Sequence, residues 1–212
     1  MPLLPRLVSP EELRDVLGDE RVRVFDATVF LRRAVDGGPY TVESGYESYT
    51  RAHLPGAAFA DIPGALSDPA SPYPFTLPPA DHFAAQAGRL GIGDGSHVVA
   101  YAQDTPMWAT RLWWLLRYFG HEDTSVLDGG LPAWTAAGGP ATNRFRPPAE
   151  LAAALAGGGV RADQPVVAYC GGGISATVDL FALALAGRDD ARLYDGSLTE
   201  WSAHPDLPLV TG

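Results

Sequence analysis

Short apolar runs alternate along the chain with segments in which apolar residues recur at helical spacing. The short runs predict strands at 22–27, 57–60, 97–101 and 125–128. The helical periodicity predicts helices that begin after Ser9 and that run over 81–90, 108–119 and 132–137. Ser9 and Glu12 have the spacing of a capping box. Because strands alternate with helices, we predict an α/β fold with a mainly parallel sheet and helices on both faces.

Several segments occur twice in the same order. The pairs are Pro78-Pro79 with Pro147-Pro148, Val98–Tyr101 with Val166–Tyr169, Asp128-Gly129 with Asp195-Gly196, and Trp134 with Trp201. The offset between the two copies drifts by only a residue or two, which indicates a duplication. We therefore predict one complete domain over residues 1–140 and a partial second copy over residues 141–212.

The second copy has no counterpart of the first half of the first copy. That half covers about residues 22–66 and contains two of the predicted strands, whereas only 140–144 lie between Gly139 and the segment that begins near Pro147. The second copy should therefore contain about half a sheet. Two parallel strands with open edges are seldom stable alone. We expect this unit to dock on the first copy, to pair with another chain or to remain loosely folded.

The charge and the cysteine content limit the kinds of binding partner and the compartment that we expect. Lys and Arg number 15 against 25 Asp and Glu, and the net charge of -10 argues against a nucleic-acid or anionic-membrane partner. A backbone nest can still bind a small anion. The single cysteine excludes an intramolecular disulfide and suits a reducing compartment. Residues 1–6 resemble no secretion leader, and the longest apolar stretch, Leu112–Leu116, is too short to span a membrane. These features predict a cytoplasmic protein.

The one cysteine marks the point at which the two copies differ chemically. Tyr101 is followed by Ala102, but its counterpart Tyr169 is followed by Cys170 at the predicted carboxyl end of a strand, where α/β proteins bind ligands. The next residues are Gly171, Gly172, Gly173, Ile174 and Ser175, and then an apolar helix. Glycines can turn their N–H groups toward the sulfur, and a helix N-terminus adds positive potential; both favour a thiolate. The same N–H groups would hold the anionic end of a substrate, so we predict that residues 171–175 bind substrate. A buried structural cysteine beside a glycine turn is the alternative.

The order of these segments resembles the tandem rhodanese-type sulfurtransferases, which act on thiosulfate or 3-mercaptopyruvate. The matching stretches in the first copy are Ser44-Gly45-Tyr46, His53–Ala57, Arg111–Trp114, Phe119-Gly120-His121, Leu127–Gly130 and Trp134. Those in the second copy are Val167–Gly171, Tyr194–Ser197 and Glu200-Trp201. The resemblance extends over nearly the whole chain.

The resemblance implies a rhodanese-like fold, an inactive first domain with Ala102 at the nucleophile position, and an active loop from Cys170 to Ser175. In this family the cysteine takes the outer sulfur of a small donor as a persulfide and passes it to cyanide, a thiol or a protein, with no metal and no organic cofactor. Met107 and Trp108 match residues that cover the pocket, although core packing explains Trp108 equally well. His53 is a candidate general acid or base, with a structural role as the alternative.

Two departures from the family leave other functions open. The loop contains no cation, as in the mercaptopyruvate type, but Gly172 stands where that type has a serine thought to assist proton transfer. The missing half-domain would normally supply arginines that bind the donor. Arg144, Arg146 and Arg161 lie near the junction, where surface solvation is the simpler interpretation. The alternatives are a non-catalytic scaffold, including a homo-oligomer formed through the partial second copy, and a persulfide carrier.

Overall fold

The computed structural model describes residues 3–33, 40–136 and 145–209. The strands of the first copy are β1 (Leu7–Val8), β2 (Val22–Asp26), β3 (Val29–Arg32), β4 (Thr41–Ser44), β5 (Ala58–Phe59), β6 (His97–Tyr101) and β7 (Thr124–Leu127). Five of them form one parallel sheet in the order β1–β7–β6–β2–β5. All residues of the central strand β6 are buried, as expected of a parallel strand that is covered on both faces.

Helices cover both faces of this sheet, as the alternation of strands and helices predicts. They are α1 (Pro10–Val16), α2 (Tyr46–Arg51), α3 (Ala80–Arg89), α4 (Met107–Tyr118) and α5 (Gly130–Ala136). On one face, Val99 and Tyr101 lie in a core cluster with Leu13 of α1. On the other face, Val98 and Ala100 lie in the larger core cluster, to which α3 and α4 contribute. The predicted capping box at Ser9 is confirmed by both of its hydrogen bonds with Glu12.

Four elements of the first copy do not follow from the hydrophobic pattern. Strands β3 and β4 form an antiparallel hairpin, in which Val29 is opposite Ser44 and Arg32 is opposite Thr41. All of β4 is exposed, so no buried face imposes an alternation on its sequence. Strand β1 is only two residues long, and α2 buries none of its residues. Such elements leave little periodic signal.

The second copy contains α6 (Pro148–Gly157), β8 (Val167–Ala168), α7 (Ala176–Leu185), β9 (Arg192–Leu193) and α8 (Ser197–Trp201). This is the element order that the repeat predicts. Strands β8 and β9 form a two-stranded parallel sheet. Strand β6, the counterpart of β8, pairs with β2 as well as with β7. In the described ranges β8 has no neighbour in the position of β2, which agrees with the predicted loss of the upstream half.

Matching backbone hydrogen bonds confirm how the copies correspond. The Leu131 N–H donates to the Ala102 carbonyl over 3.1 Å, and the Leu198 N–H donates to the Cys170 carbonyl over 3.0 Å. Ala102 therefore has the same backbone position as Cys170, as the sequence repeat predicts.

The second copy docks on the first through helices α4 and α7, so the first of the three expected outcomes is the one observed. The Thr110 and Thr177 hydroxyl oxygens are 2.9 Å apart. The ring of Phe181 lies edge-on to Trp113, with 4.9 Å between ring centroids. Residues of the second copy, including Ile174 and Phe181, belong to the main core cluster of the first. Within the described ranges, no helix is long and apolar enough to cross a bilayer.

Candidate active site

Cys170 follows β8 at the carboxyl end of the small sheet and opens the loop that leads into α7. The thiol-bearing residue is half-buried. Ser175 occupies the N-cap position of α7, a helix of ten residues. Three turns of helix with unpaired N–H groups at their start give positive potential at this end of α7. The placement is the one expected from the sequence.

Two opposing effects act on the thiol, and their balance favours the thiolate. Burial raises the pKa of Cys170. The Ser175 hydroxyl and the backbone N–H groups of Ala176, Gly172 and Gly173 donate hydrogen bonds to the sulfur and lower that pKa. The donors prevail, so the pKa of Cys170 lies below the ordinary value of a thiol. The loop thus stabilises negative charge on sulfur without a cation of its own.

Ser197 holds the backbone of the cysteine from the opposite side. Its buried hydroxyl accepts from the Cys170 N–H over 3.1 Å and donates to the Tyr194 carbonyl over 2.9 Å. Ser197 has a φ of 50°, a conformation that costs a non-glycine residue about 1–2 kcal/mol. Gly130, its counterpart in the first copy, has a φ of 58°. Ser197 thus keeps a strained backbone conformation, and its side chain fixes the backbone of Cys170.

Of the three consecutive glycines, Gly173 is the one that the backbone requires. It has a φ of 78°, and a Cβ atom there would lie 2.3 Å from the Asp195 carbonyl oxygen. Nothing lies within 4 Å of a Cβ atom built at Gly171 or Gly172. Gly173 therefore brings the loop into contact with the Asp195 backbone, while Gly172 leaves open space where the mercaptopyruvate type has serine.

Arg111 of α4 joins the first copy to this loop. Its side chain is 1% exposed, and its guanidinium is 2.5 Å from the Asp195 carboxylate. It also donates to the carbonyls of Gly173 and Phe75, over 3.3 and 2.5 Å. The other oxygen of the Asp195 carboxylate accepts from the Leu77 N–H over 2.6 Å. A guanidinium stays charged at neutral pH even when it is buried, so the site contains one fully enclosed positive charge.

The remaining predicted pocket residues have different surroundings. Ile174 is buried in the main core and accepts hydrogen bonds from Thr177 at its carbonyl, so its side chain anchors the loop. Met107 is half-buried, and its carbonyl lies 3.4 Å from the Thr177 hydroxyl. Trp108 is fully buried with its ring against Phe75, 5.3 Å between centroids. The position of Trp108 is that of a core residue.

His53 lies in an aromatic group of the first copy. Its ring stacks on Tyr49 with 4.4 Å between centroids, and its Nδ1 lies 2.8 Å from the Tyr49 carbonyl. A carbonyl only accepts hydrogen bonds, so we assign the proton to Nδ1, which leaves Nε2 as the basic nitrogen. Among the described residues, no hydrogen bond joins His53 to the Cys170 loop. Its role as acid or base stays a prediction.

An open apolar groove of about 760 Å³ lies beside the cysteine loop. Its lining includes Val167, Tyr169, Leu198 and Trp201. Tyr169 is 59% exposed, whereas its counterpart Tyr101 is fully buried and its hydroxyl accepts from the Leu54 N–H. The groove is therefore the face that is covered in the first copy.

Arg111, Asp195 and Ser197 are the site residues that the sequence interpretation missed. In the sequence, Arg111 and Asp195 stand out only as members of family-like motifs, because their contacts join segments far apart in the chain. One available signal was the charge of Arg111 inside the strongly apolar segment 108–119, since a buried charge requires a buried partner.

Comparison with known proteins gives the same assignment. The rhodanese-like domain family matches residues 9–137 and again residues 141–204, so the second match is about half as long as the first. The chain therefore belongs to the rhodanese-like domain family. More particularly, it is of the tandem-domain rhodanese sulfurtransferase type.

Some of the similar proteins are named for 3-mercaptopyruvate as the sulfur donor and others for thiosulfate. The 3-mercaptopyruvate sulfurtransferase of Escherichia coli K12 is 27% identical over 278 residues, covering 95% of this chain and 96% of the relative. That alignment is longer than this 212-residue chain, so the relative contains residues without a counterpart here. The thiosulfate sulfurtransferase of Gallus gallus is 37% identical over 150 residues, 68% of this chain and 49% of the relative. The crystal structure of the E. coli 3-mercaptopyruvate sulfotransferase SseA matches with a TM-score of 0.76 and 26% identity, covering 92% and 99% of the two chains.

Proposed function

We propose that this chain transfers a sulfane sulfur from thiosulfate or 3-mercaptopyruvate to cyanide or a thiol through a persulfide on Cys170. The observation that carries the proposal is the position of the one thiol of the chain, half-buried between the carboxyl end of β8 and the N-terminus of α7, where the Ser175 hydroxyl and three backbone N–H groups lower its pKa. The same donors that stabilise the thiolate stabilise a terminal persulfide sulfur, which is also an anion.

The chemistry proceeds in two displacements with no net change in oxidation state. The Cys170 thiolate attacks the outer sulfur of the donor, a sulfur–sulfur bond forms, and the donor's bond to that sulfur breaks. Thiosulfate releases sulfite, and 3-mercaptopyruvate releases the pyruvate enolate, which takes up a proton. Cyanide or a thiolate then attacks the outer sulfur of the persulfide and regenerates the Cys170 thiolate. Cyanide leaves as thiocyanate, and a thiol leaves as its persulfide.

Each predicted site residue has a place in this scheme. Gly172, Gly173 and Ser175 donate to the sulfur, and Gly171 is held by Thr199, whose N–H and hydroxyl donate to its carbonyl over 2.9 and 2.7 Å. Ile174 anchors the loop in the core. Met107 forms an apolar wall, and Trp108 supports it from within the core. His53, through its basic Nε2, is the candidate that exchanges the proton with the leaving group.

The experiment compares the unchanged chain with Cys170→Ser, using thiosulfate and 3-mercaptopyruvate as parallel donors and cyanide as acceptor. We expect thiocyanate to form with at least one donor, and the mass of the unchanged protein to rise by one sulfur atom when donor is present without acceptor. The variant should show neither, because serine cannot form a persulfide. Ser202→Ala, at an exposed serine of the same copy, is the control and should match the unchanged protein.

Either of two results would contradict the proposal: full transfer by Cys170→Ser, or no transfer and no added sulfur in the unchanged protein. Added sulfur on Cys170 without repeated turnover would support the persulfide carrier instead.

A second candidate function is a scaffold in which a second copy of this chain covers the apolar groove. Val167 and Tyr169 are 60% and 59% exposed in the groove, and β8 has a free edge among the described residues. Such an edge next to an apolar face favours pairing between chains. The two candidates are compatible, because the groove lies beside the cysteine loop rather than within it. We place either activity in the cytoplasm, where a reactive thiol stays reduced.

A further inference from the structure

Arg111 is the completely buried charged residue of α4, whereas Arg117 near the end of the same helix is partly exposed. Its guanidinium bridges three separate segments: the carboxylate of Asp195, the carbonyl of Gly173 and the carbonyl of Phe75. Its Cζ atom lies 4.7 Å from the centroid of the Trp114 ring. Two of the three hydrogen-bonding partners belong to the second copy, although Arg111 belongs to the first. The first copy thus inserts a charge directly behind the cysteine loop.

A charge in this position requires a structural reason. Burial of an ion costs several kcal/mol unless its hydrogen bonds are satisfied, and Asp195 alone would neutralise it. The rigid fork of a guanidinium fixes the directions of its donors, which a lysine ammonium does not. Arg111 uses that fork to hold a carboxylate and two backbone carbonyls at once.

Gly173 connects this contact to the sulfur. Its carbonyl accepts from Arg111 over 3.3 Å, and its N–H is one of the loop groups that lower the pKa of Cys170, three residues away. Its α-carbon is pressed against the Asp195 backbone, and Asp195 is itself bound by Arg111. Moving the guanidinium would therefore release both the peptide that follows Gly173 and the surface against which Gly173 rests.

We propose that Arg111 is a positioning residue for Cys170: by fixing Gly173 and Asp195 it keeps the loop N–H groups aimed at the sulfur. Its catalytic meaning rests on the proposed function, but its effect on the thiol does not. The copies differ here as they do at the nucleophile. At the offset that relates Ala102 to Cys170, the counterpart of Arg111 is Asp179. The first copy therefore provides an arginine behind the Cys170 loop, and the second copy provides no arginine at the matching position.

The test measures the rate of alkylation of the protein by iodoacetamide as a function of pH. Cys170 is the only cysteine of the chain, so the whole-protein rate reports on it alone. Arg111→Lys retains the charge without the fork, and Asp195→Asn retains the shape without the charge. Arg117→Lys is the matched control: Arg117 lies on the same helix and also reaches the second copy, at Asp189 over 3.2 Å, but it does not contact the loop.

We expect the midpoint of the profile to move upward by about one pH unit in Arg111→Lys and in Asp195→Asn, since loosened donors stabilise the thiolate less. Arg117→Lys should keep the midpoint of the unchanged protein. Thermal unfolding of each variant confirms that the profile is measured on folded protein. If Arg111→Lys does not fold, the nearly isosteric Asp195→Asn decides the test.

Three results would overturn the proposal: an unchanged midpoint in Asp195→Asn, a midpoint in folded Arg111→Lys equal to that of the unchanged protein, or an equal shift in Arg117→Lys. The second would mean that Arg111 acts through its charge alone. Alkylation requires no sulfur donor, so the outcome is independent of the proposed function. A shifted midpoint in a protein without sulfur transfer would retain the positioning role and reject the enzyme.

Discussion

At the scale of single residues, Gly172 and Gly173 are neighbours in the chain with different structural demands. Gly173 has a φ of 78°, and a Cβ atom there would come within 2.3 Å of backbone at Asp195. At Gly172 the same atom would meet nothing within 4 Å. The sequence presents both simply as members of one glycine run, because neither the sign of φ nor the distant Asp195 is visible in it.

We predict that Gly173→Ala destabilises the protein by at least about 1–2 kcal/mol, the cost of the left-handed conformation, with the clash against Asp195 in addition. It should also raise the pKa of Cys170, because the Gly173 N–H can no longer point at the sulfur. Urea unfolding and the pH profile of alkylation measure the two effects. Gly172→Ala is the control and should unfold close to the unchanged protein. Equal losses in both variants would show that the backbone of the run as a whole, rather than Gly173, is constrained.

At the scale of elements, the contact between α4 and α7 holds the second copy in place. Phe181 of α7 is fully buried between Trp113 of α4 and Phe145, whose ring centroid lies 5.0 Å away. We predict that Phe181→Ala lowers the free energy of unfolding by about 3–5 kcal/mol, because a large cavity would open in a shared core. Leu209→Ala, at a side chain 59% exposed, should change it by less than about 0.5 kcal/mol.

Urea unfolding followed both by tryptophan fluorescence and by circular dichroism checks this prediction. A shared core requires the two signals to change together, since two-state unfolding gives coincident transitions. Separate transitions in the unchanged protein, or a small effect of Phe181→Ala, would mean that the second copy is stabilised elsewhere.

The elements also show which parts of the fold the sequence can predict. The strongly periodic segments, such as α3, α4 and β6, were predicted within a residue or two, because their burial imposes the period. The position of Cys170 at a strand end was likewise predictable from the repeat. The hairpin of β3 and β4 was not, because all of β4 is exposed and solvent imposes no pattern on it. Arg111 and Asp195 were not paired because they are brought together only by the docking of α7 on α4.

At the scale of the whole molecule, the two copies differ in what covers the same face. Tyr101 is fully buried in the first copy, and its counterpart Tyr169 is 59% exposed. The second copy thus exposes an apolar surface on a chain with a net charge of -10. Association has to overcome that charge, so it should strengthen as salt screens the repulsion.

We predict that the chain self-associates with increasing concentration and that Val167→Asp weakens this by placing a charge on the apolar face. Sedimentation velocity at several protein and salt concentrations measures the effect. Tyr118→Asp, at a tyrosine 57% exposed on α4, is the control and should associate as the unchanged chain does. A chain that stays monomeric at all concentrations, or equal weakening by both variants, would argue against pairing through the groove.

Hydrogen bonds in both directions between the copies affect whether the cysteine loop can be moved to another protein. The Asp128 carboxylate accepts from the Phe145 N–H over 3.0 Å, and the Asp195 carboxylate accepts from the Leu77 N–H over 2.6 Å. A fragment cut at the junction would take the nucleophile with it and leave behind Arg111. The Cys170 site is therefore built from both copies, and moving it to another protein would require the copy without a thiol as well as the copy that has one.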